Sequence, residues 1–152
     1  MLVAIAIGIA LAVVTIVIHA LGTSFLIGLL QNRAGSFRSR AGELKALTIT
    51  AVGLMLIHIT EIAVWAVGYY LAVGNGTFES PEDAVYFSTV TFTTLGYGDI
   101  VIEGHWRMVC ACQAMIGLLI FGWSTALLFG VVERIWRNRL LVDEKSPKKL
   151  FD

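Results

Sequence analysis

The stretch GNGTFESPEDAVYFSTVTFTTLGYGDIVIEGHW, residues 74–106, decides the fold of this chain. Ser80 is placed to cap a helix, and Pro81 suits a first helical position, where its missing N–H leaves no bond unmade. Glu82 and Asp83 complement the positive end of the helix dipole. The pattern predicts a helix over residues 81–92. At a rise of about 1.5 Å per residue it is too short to cross a hydrocarbon core of about 30 Å, and fits instead a segment that enters the membrane and turns back. Thr93-Thr94-Leu95-Gly96-Tyr97-Gly98-Asp99 follows, and its glycines mark backbone that leaves the helix.

Working outward, long apolar runs lie on both sides. One covers residues 44–73, broken by His58 and Glu61, and another covers 108–132, ending before Glu133 and Arg134. A further run, 2–30, meets no charge before Arg33. Each exceeds the roughly 20 residues that span a bilayer, and in lipid such runs are helices because every backbone group must be satisfied internally. The first run lacks a basic start and is longer than the apolar part of a signal peptide, so it reads as a retained span. The fold class expected is therefore an all-α membrane protein: three transmembrane helices plus a short re-entrant helix and loop.

Composition agrees. Of 152 residues, 57% are hydrophobic and 14% charged, and the mean hydropathy is +0.81. A soluble domain carries about 25% charged residues, so this chain has too few to cover a water-facing surface. Eleven basic and eleven acidic residues cancel, and no nucleic-acid partner is implied. No nucleophile–base pair, metal-ligand spacing or phosphate loop argues for an enzyme. Cys110 and Cys112 point to different sides of a helix and read as small packing residues.

Basic residues set the orientation. Arg33, Arg38, Arg40 and Lys45 follow the first run; Arg134, Arg137, Arg139, Lys145, Lys148 and Lys149 follow the third; residues 74–107 hold only Arg107. The positive-inside rule places the 33–43 loop and the 133–152 tail in the cytoplasm, with the N-terminus and residues 74–107 outside. A multi-pass protein of the cell membrane is expected, with the lipid bilayer as a partner. Asn75-Gly76-Thr77 is a glycosylation acceptor on the outer side, meaningful only in a eukaryotic secretory pathway.

Residues 81–99 resemble the pore helix and selectivity filter of potassium channels. Thr94-Leu95-Gly96-Tyr97-Gly98 departs from their TVGYG filter only at Leu95. The resemblance extends over residues 44–132, as outer helix 44–73, pore helix 81–92, filter 93–99 and inner helix 108–132. It leaves residues 1–32 as an additional N-terminal helix and is closest to compact bacterial channels. It implies that K+ binds at Thr94, Leu95, Gly96 and Tyr97 through backbone carbonyls that replace its water shell, with the Thr94 hydroxyl as the innermost ring. Gly96 and Gly98 permit the backbone conformations this needs. One chain supplies one filter segment, so a ring implies three further identical subunits, a homotetrameric pore. No cofactor is expected, K+ being the permeant ion. A weakly selective cation channel, with Leu95 perturbing the filter, and a non-conducting scaffold subunit are the competing readings.

The resemblance also implies roles around the filter. Asp99 either anchors the filter to Tyr86 of the pore helix or faces the outer vestibule. Glu79, Glu82, Asp83 and Glu103 either add to a negative outer mouth or are ordinary solvated charges, and taken one by one they read as the latter. Gly117 is either a gating hinge or a close packing contact, and Gly122 reads as packing. Thr125 and Phe129, one turn apart, would line the inner entrance.

Three intramembrane residues are costly: His19, His58 and Glu61. Counting along the helices puts His19 about 16 Å and His58 about 21 Å from the inner ends of their spans, with Glu61 one turn beyond on the His58 face. A shared cluster is geometrically open, either as a proton-sensitive latch between the first span and the pore or as hydrogen-bonded structural glue. No helix carries arginine at every third position, so no voltage sensor is expected. The short tail is read as too small for a nucleotide- or calcium-binding domain.

Overall fold

A computed structural model describes residues 1–32, 39–73 and 77–145, the last five as backbone only. Arg33, Arg38, Asn75, Gly76, Lys148 and Lys149, singled out above, lie outside the described residues. Four α-helices make up the fold: α1 (Leu2–Asn32), α2 (Arg40–Val73), α3 (Pro81–Phe92) and α4 (Arg107–Lys145), with a 3₁₀ turn at Gly104–Trp106 leading into α4. Three stretches, Leu2–Asn32, Arg40–Val73 and Gly104–Leu140, are long and apolar enough to cross a membrane. The all-α membrane architecture read from the sequence is the one observed.

Threonines within these helices show how polar groups are accommodated. Thr15, Thr50, Thr60 and Thr125 each donate their hydroxyl to the carbonyl four residues earlier, at 2.8–2.9 Å. The hydroxyl is satisfied locally and the helix continues.

The start of α3 goes beyond the single cap expected of Ser80. Its Oγ accepts from the Asp83 amide at 3.2 Å, and the Asp83 carboxylate accepts from the amides of Ser80 (2.9 Å) and Glu79 (3.1 Å). This reciprocal capping box fixes where the short helix begins. Asp83 thus serves as a capping side chain at the start of α3.

Two boundaries differ from the sequence reading by several residues. The second helix begins at Arg40, not residue 44, because Ser39 caps it: the Gly42 amide donates to Ser39 Oγ at 3.2 Å. The fourth helix runs through the expected tail to Lys145. Residues 133–145 contain neither glycine nor proline, and Pro147 follows two residues later. A Glu133–Arg137 pair one turn apart supports this extension, and Arg139 forks onto Glu43 at the start of α2, its Nε 3.0 Å from Oε1.

Helix α1 lies against both α2 and α4. A side-chain carbon added at Gly68 would press on Leu11, at Gly22 on Ile57, and at Gly53 on Leu26. Residue numbers fall along α2 as they rise along α1, so this pair is antiparallel. Gly8 faces Cys112 and His19 faces Ser124, so α1 and α4 run parallel. Small residues let these backbones approach closely, as at membrane helix contacts generally. Across α1 and α2 the buried Trp65 indole N–H donates to Thr15 Oγ1 at 2.8 Å.

Helix α3 sits between α2 and α4 on an aromatic floor. Tyr69 meets Phe87 edge to face at 5.1 Å, and Phe78 packs 5.7 Å from Phe87. Many large apolar side chains on the long helices remain exposed, among them Phe25, Leu71 and Leu118. Such surfaces suit a hydrocarbon solvent.

Candidate functional site

The end of α3 passes directly into the segment singled out by the sequence. Thr93 closes the helix with its amide on the Thr89 carbonyl at 3.0 Å and its hydroxyl on the same oxygen at 2.8 Å. The next amides turn back onto the helix. Thr94 N donates to Thr91 O at 3.0 Å, and the Val90 carbonyl accepts from Leu95 N at 2.9 Å and Gly96 N at 3.3 Å. These bonds use the amides of Thr94, Leu95 and Gly96, and among the hydrogen bonds of the described residues none is accepted by a carbonyl of residues 94–98.

The backbone then alternates in hand. Thr94 has φ +59°, Gly96 +56° and Gly98 +79°, whereas Leu95 and Tyr97 between them do not enter positive φ. In an extended strand successive carbonyls point to opposite sides; alternation of hand at every second residue turns them toward the same side. The glycines take this conformation freely. Thr94 does not: it is the one non-glycine residue with positive φ among the described residues, and β-branching makes the conformation costly, about 1–3 kcal/mol. Sequence reasoning assigned this demand to Gly96 and Gly98 and missed it at Thr94.

Residues 93–99 are exposed in the single chain, and Tyr97 is 68% exposed.

Tyr86 and Asp99 meet. The Tyr86 hydroxyl donates to Asp99 Oδ2 at 2.7 Å, and Asp99 Oδ1 accepts from the Ile100 amide at 3.1 Å. The Tyr86 hydroxyl holds the Asp99 carboxyl below the usual carboxylate range, and Asp99 in turn pushes the Tyr86 phenol up.

A buried chain of bonds positions α3. Ser88 donates to the Ile62 carbonyl of α2 at 2.8 Å. Gln113 of α4 donates to Ser88 Oγ at 2.8 Å and to the Ser88 carbonyl at 3.2 Å, and Tyr69 of α2 donates to Gln113 Oε1 at 2.8 Å. Ser88, Gln113 and Tyr69 were not anticipated. The available signal was Gln113 itself, an uncharged polar residue in the third apolar run.

Gly117 of α4 lies against the last turn of α3, where a methyl group would overlap the Phe92 carbonyl oxygen. The packing alternative describes its position. For Gly122 the packing expectation finds no counterpart among the described residues: nothing comes within 4 Å of where a side chain would start. Thr125 and Phe129 are exposed on α4, and the Thr125 hydroxyl is turned back onto Phe121 O.

His19, His58 and Glu61 do come together. Each histidine Nδ1 lies 3.0 Å from a different Glu61 oxygen, and Glu61 and His19 are fully buried. Ser124 of α4, absent from the sequence reading, completes the group between the two Nε2 atoms.

No solved structure matches the chain. Residues 55–134, more than half its length and including α3, the alternating segment and most of α4, match the family model described as Ion channel (Ion_trans_2). The chain belongs to this ion-channel family.

Proposed function

We propose that the protein is a potassium-selective channel whose pore is built by four identical chains around residues 94–98. The observation that carries this reading is the alternating backbone at Thr94, Gly96 and Gly98 within the sequence Thr94-Leu95-Gly96-Tyr97-Gly98. A dehydrated K+ needs oxygens on all sides at each step of its passage. A stack of carbonyls from Thr94, Leu95, Gly96 and Tyr97 supplies them only when repeated around an axis, and cyclic symmetry of a single chain supplies that repeat.

The surroundings favour a cation. The C-terminal end of α3, with its partial negative charge, ends where the segment begins. Tyr86 and Asp99 brace the far end of the segment, and Gln113 fixes α3 from behind. Basic residues concentrated after the first and third spans support a cytoplasmic C-terminus and an outer N-terminus in the cell membrane. Thr125 and Phe129 then line the inner entrance.

The test is a reversal potential. The purified protein is reconstituted in planar bilayers with K+ on one side and Na+ on the other. Reversal near the K+ equilibrium value, lost in Gly96→Ala, supports the reading. Reversal near zero favours weak selectivity and points to Leu95. Absence of current, together with absence of a tetramer by mass, favours a non-conducting subunit.

A further inference from the structure

His19, His58, Glu61 and Ser124 form a closed ring of four contacts joining α1, α2 and α4. Glu61 Oε1 faces His19 Nδ1 and Oε2 faces His58 Nδ1, both at 3.0 Å. The two Nε2 atoms converge on Ser124 Oγ, at 3.4 Å for His19 and 3.0 Å for His58. The imidazole rings stack with centroids 5.6 Å apart and planes 28° from parallel. Side-chain exposure is 0% for His19 and Glu61 and 13% for His58.

The contacts fix the number of protons. Each of the four needs one. An ionised Glu61 supplies none, the Ser124 hydroxyl supplies one, and two neutral imidazoles supply one each. That total is three, and one contact is left with lone pairs facing each other. A fourth proton closes the ring in either of two ways. One histidine is an imidazolium opposite the Glu61 carboxylate, or Glu61 is a neutral acid and the two rings take opposite tautomers. Both arrangements contain the same protons and differ only in where one of them sits.

Charge selects the same number. With three protons the ring carries an uncompensated negative charge inside a spanning segment, and with five a positive one; only four leaves it neutral. Among the described residues the side chains around the ring are aromatic and carry no compensating charge. Trp123 and Phe121 of α4 lie 5.2 Å from His19 and 4.8 Å from His58, and Phe92 of α3 lies 6.2 Å from His58. Among the described residues, α1 contributes only His19, α2 only His58 and Glu61, and α4 only the Ser124 hydroxyl to hydrogen bonds and ion pairs of these side chains.

We infer that these four residues are an intramembrane proton-binding site that holds one proton at neutral pH and, through it, fastens α1 to α4. The ligand is the proton itself, and the site is separate from residues 94–98. Loss of the proton removes one contact from the ring and leaves a charge that α1 and α2 must bury.

The test reads protons directly and does not depend on ion selectivity. The chain has three histidines, so His105→Gln leaves only the ring's two. Full-length protein with ¹⁵N-labelled histidine is placed in lipid bilayers at pH 7.5, and the ring nitrogens are assigned as protonated or bare by NMR. The proposal expects three protonated nitrogens of four. It equally expects opposite neutral tautomers accompanied by a protonated-carboxyl infrared band that Glu61→Gln removes. Glu61→Gln is expected to leave both rings neutral. Two neutral rings in the parent protein with no carboxyl band, or two imidazolium rings, would overturn the proposal. The parent spectrum decides even if Glu61→Gln does not assemble.

Discussion

Gly117 of α4 touches the carbonyl of Phe92 at the last turn of α3, and no side chain fits between them. The helix that follows the alternating segment is thereby set directly against the base from which that segment starts. Gly117→Ala would force α3 or α4 to move, and overpacking of this kind costs about 1–3 kcal/mol. The expected outcome is a lower midpoint of thermal unfolding in detergent together with a reduced K+ over Na+ permeability ratio. Gly122→Ala, where there is open space, is the control and should change stability by less than about 1 kcal/mol. Equal changes in both variants would show that the Phe92 contact does not set the cost, since the gain in helix propensity is common to both.

Tyr86→Phe removes the hydroxyl that binds Asp99 and leaves the ring in place. The expected result is current that declines during sustained activity, as the Asp99 end of the segment loses its brace. The pH dependence follows from the same bond. Asp99 is held below the usual carboxylate range, so the contribution of its ionised form is present above that range and is lost as pH falls through the lowered value. Acidifying the Asp99 side should therefore leave wild-type current stable through the ordinary carboxylate range and reduce it only below that range, whereas in Tyr86→Phe the acid loss moves upward toward the ordinary range. Superimposable acid limbs for the two proteins would rule the brace out.

Much of this was legible in the chain. Ser80-Pro81-Glu82-Asp83 announces α3 because caps and dipole charges act locally, and the three spans follow from run length alone. What was not legible depends on tertiary approach. The left-handed Thr94 breaks the preference of a β-branched residue, and only the bonds of Leu95 and Gly96 to the Val90 carbonyl show why it is tolerated. Ser124 is an ordinary small polar residue in an apolar run until His19 and His58 are brought to it from two other helices. The extension of α4 past residue 132 was hidden because a change from apolar to charged composition marks the edge of the membrane, not the end of a helix.

Thr15 accepts from the Trp65 indole and donates to the Leu11 carbonyl, so one hydroxyl serves both α1 and the α1–α2 contact. Thr15→Val keeps the shape and strands the buried indole N–H, which costs about 1–3 kcal/mol. Trp65→Phe removes the donor but also some packing. The double variant should be less destabilised than the sum of the two single ones, because the stranded donor is gone. Thermal unfolding of all four proteins measures the difference. Strict additivity would mean that the bond contributes nothing to holding α1.

Gln113 is the only link through which α4 reaches both Ser88 and Tyr69, among the hydrogen bonds of the described residues. Its amide does two opposite things: the oxygen accepts from Tyr69 and the nitrogen donates to Ser88. Gln113→Leu removes both, leaving the buried Tyr69 hydroxyl without its acceptor, at a cost of about 1–3 kcal/mol. Tyr69→Phe in the same background removes that stranded hydroxyl and should restore part of the loss. Ser88 remains bonded to the Ile62 carbonyl in every case, so α3 stays attached to α2 and loses only the Gln113 tie to α4, where the Gly117–Phe92 contact remains. Assembly should therefore survive Gln113→Leu while permeation suffers. The check is a pair of measurements on one preparation: oligomer mass and the K+/Na+ reversal potential. Unchanged mass with a reversal potential shifted toward zero is expected; an unchanged reversal potential would mean that α2, the aromatic floor and the Gly117 contact hold α3 in place without Gln113.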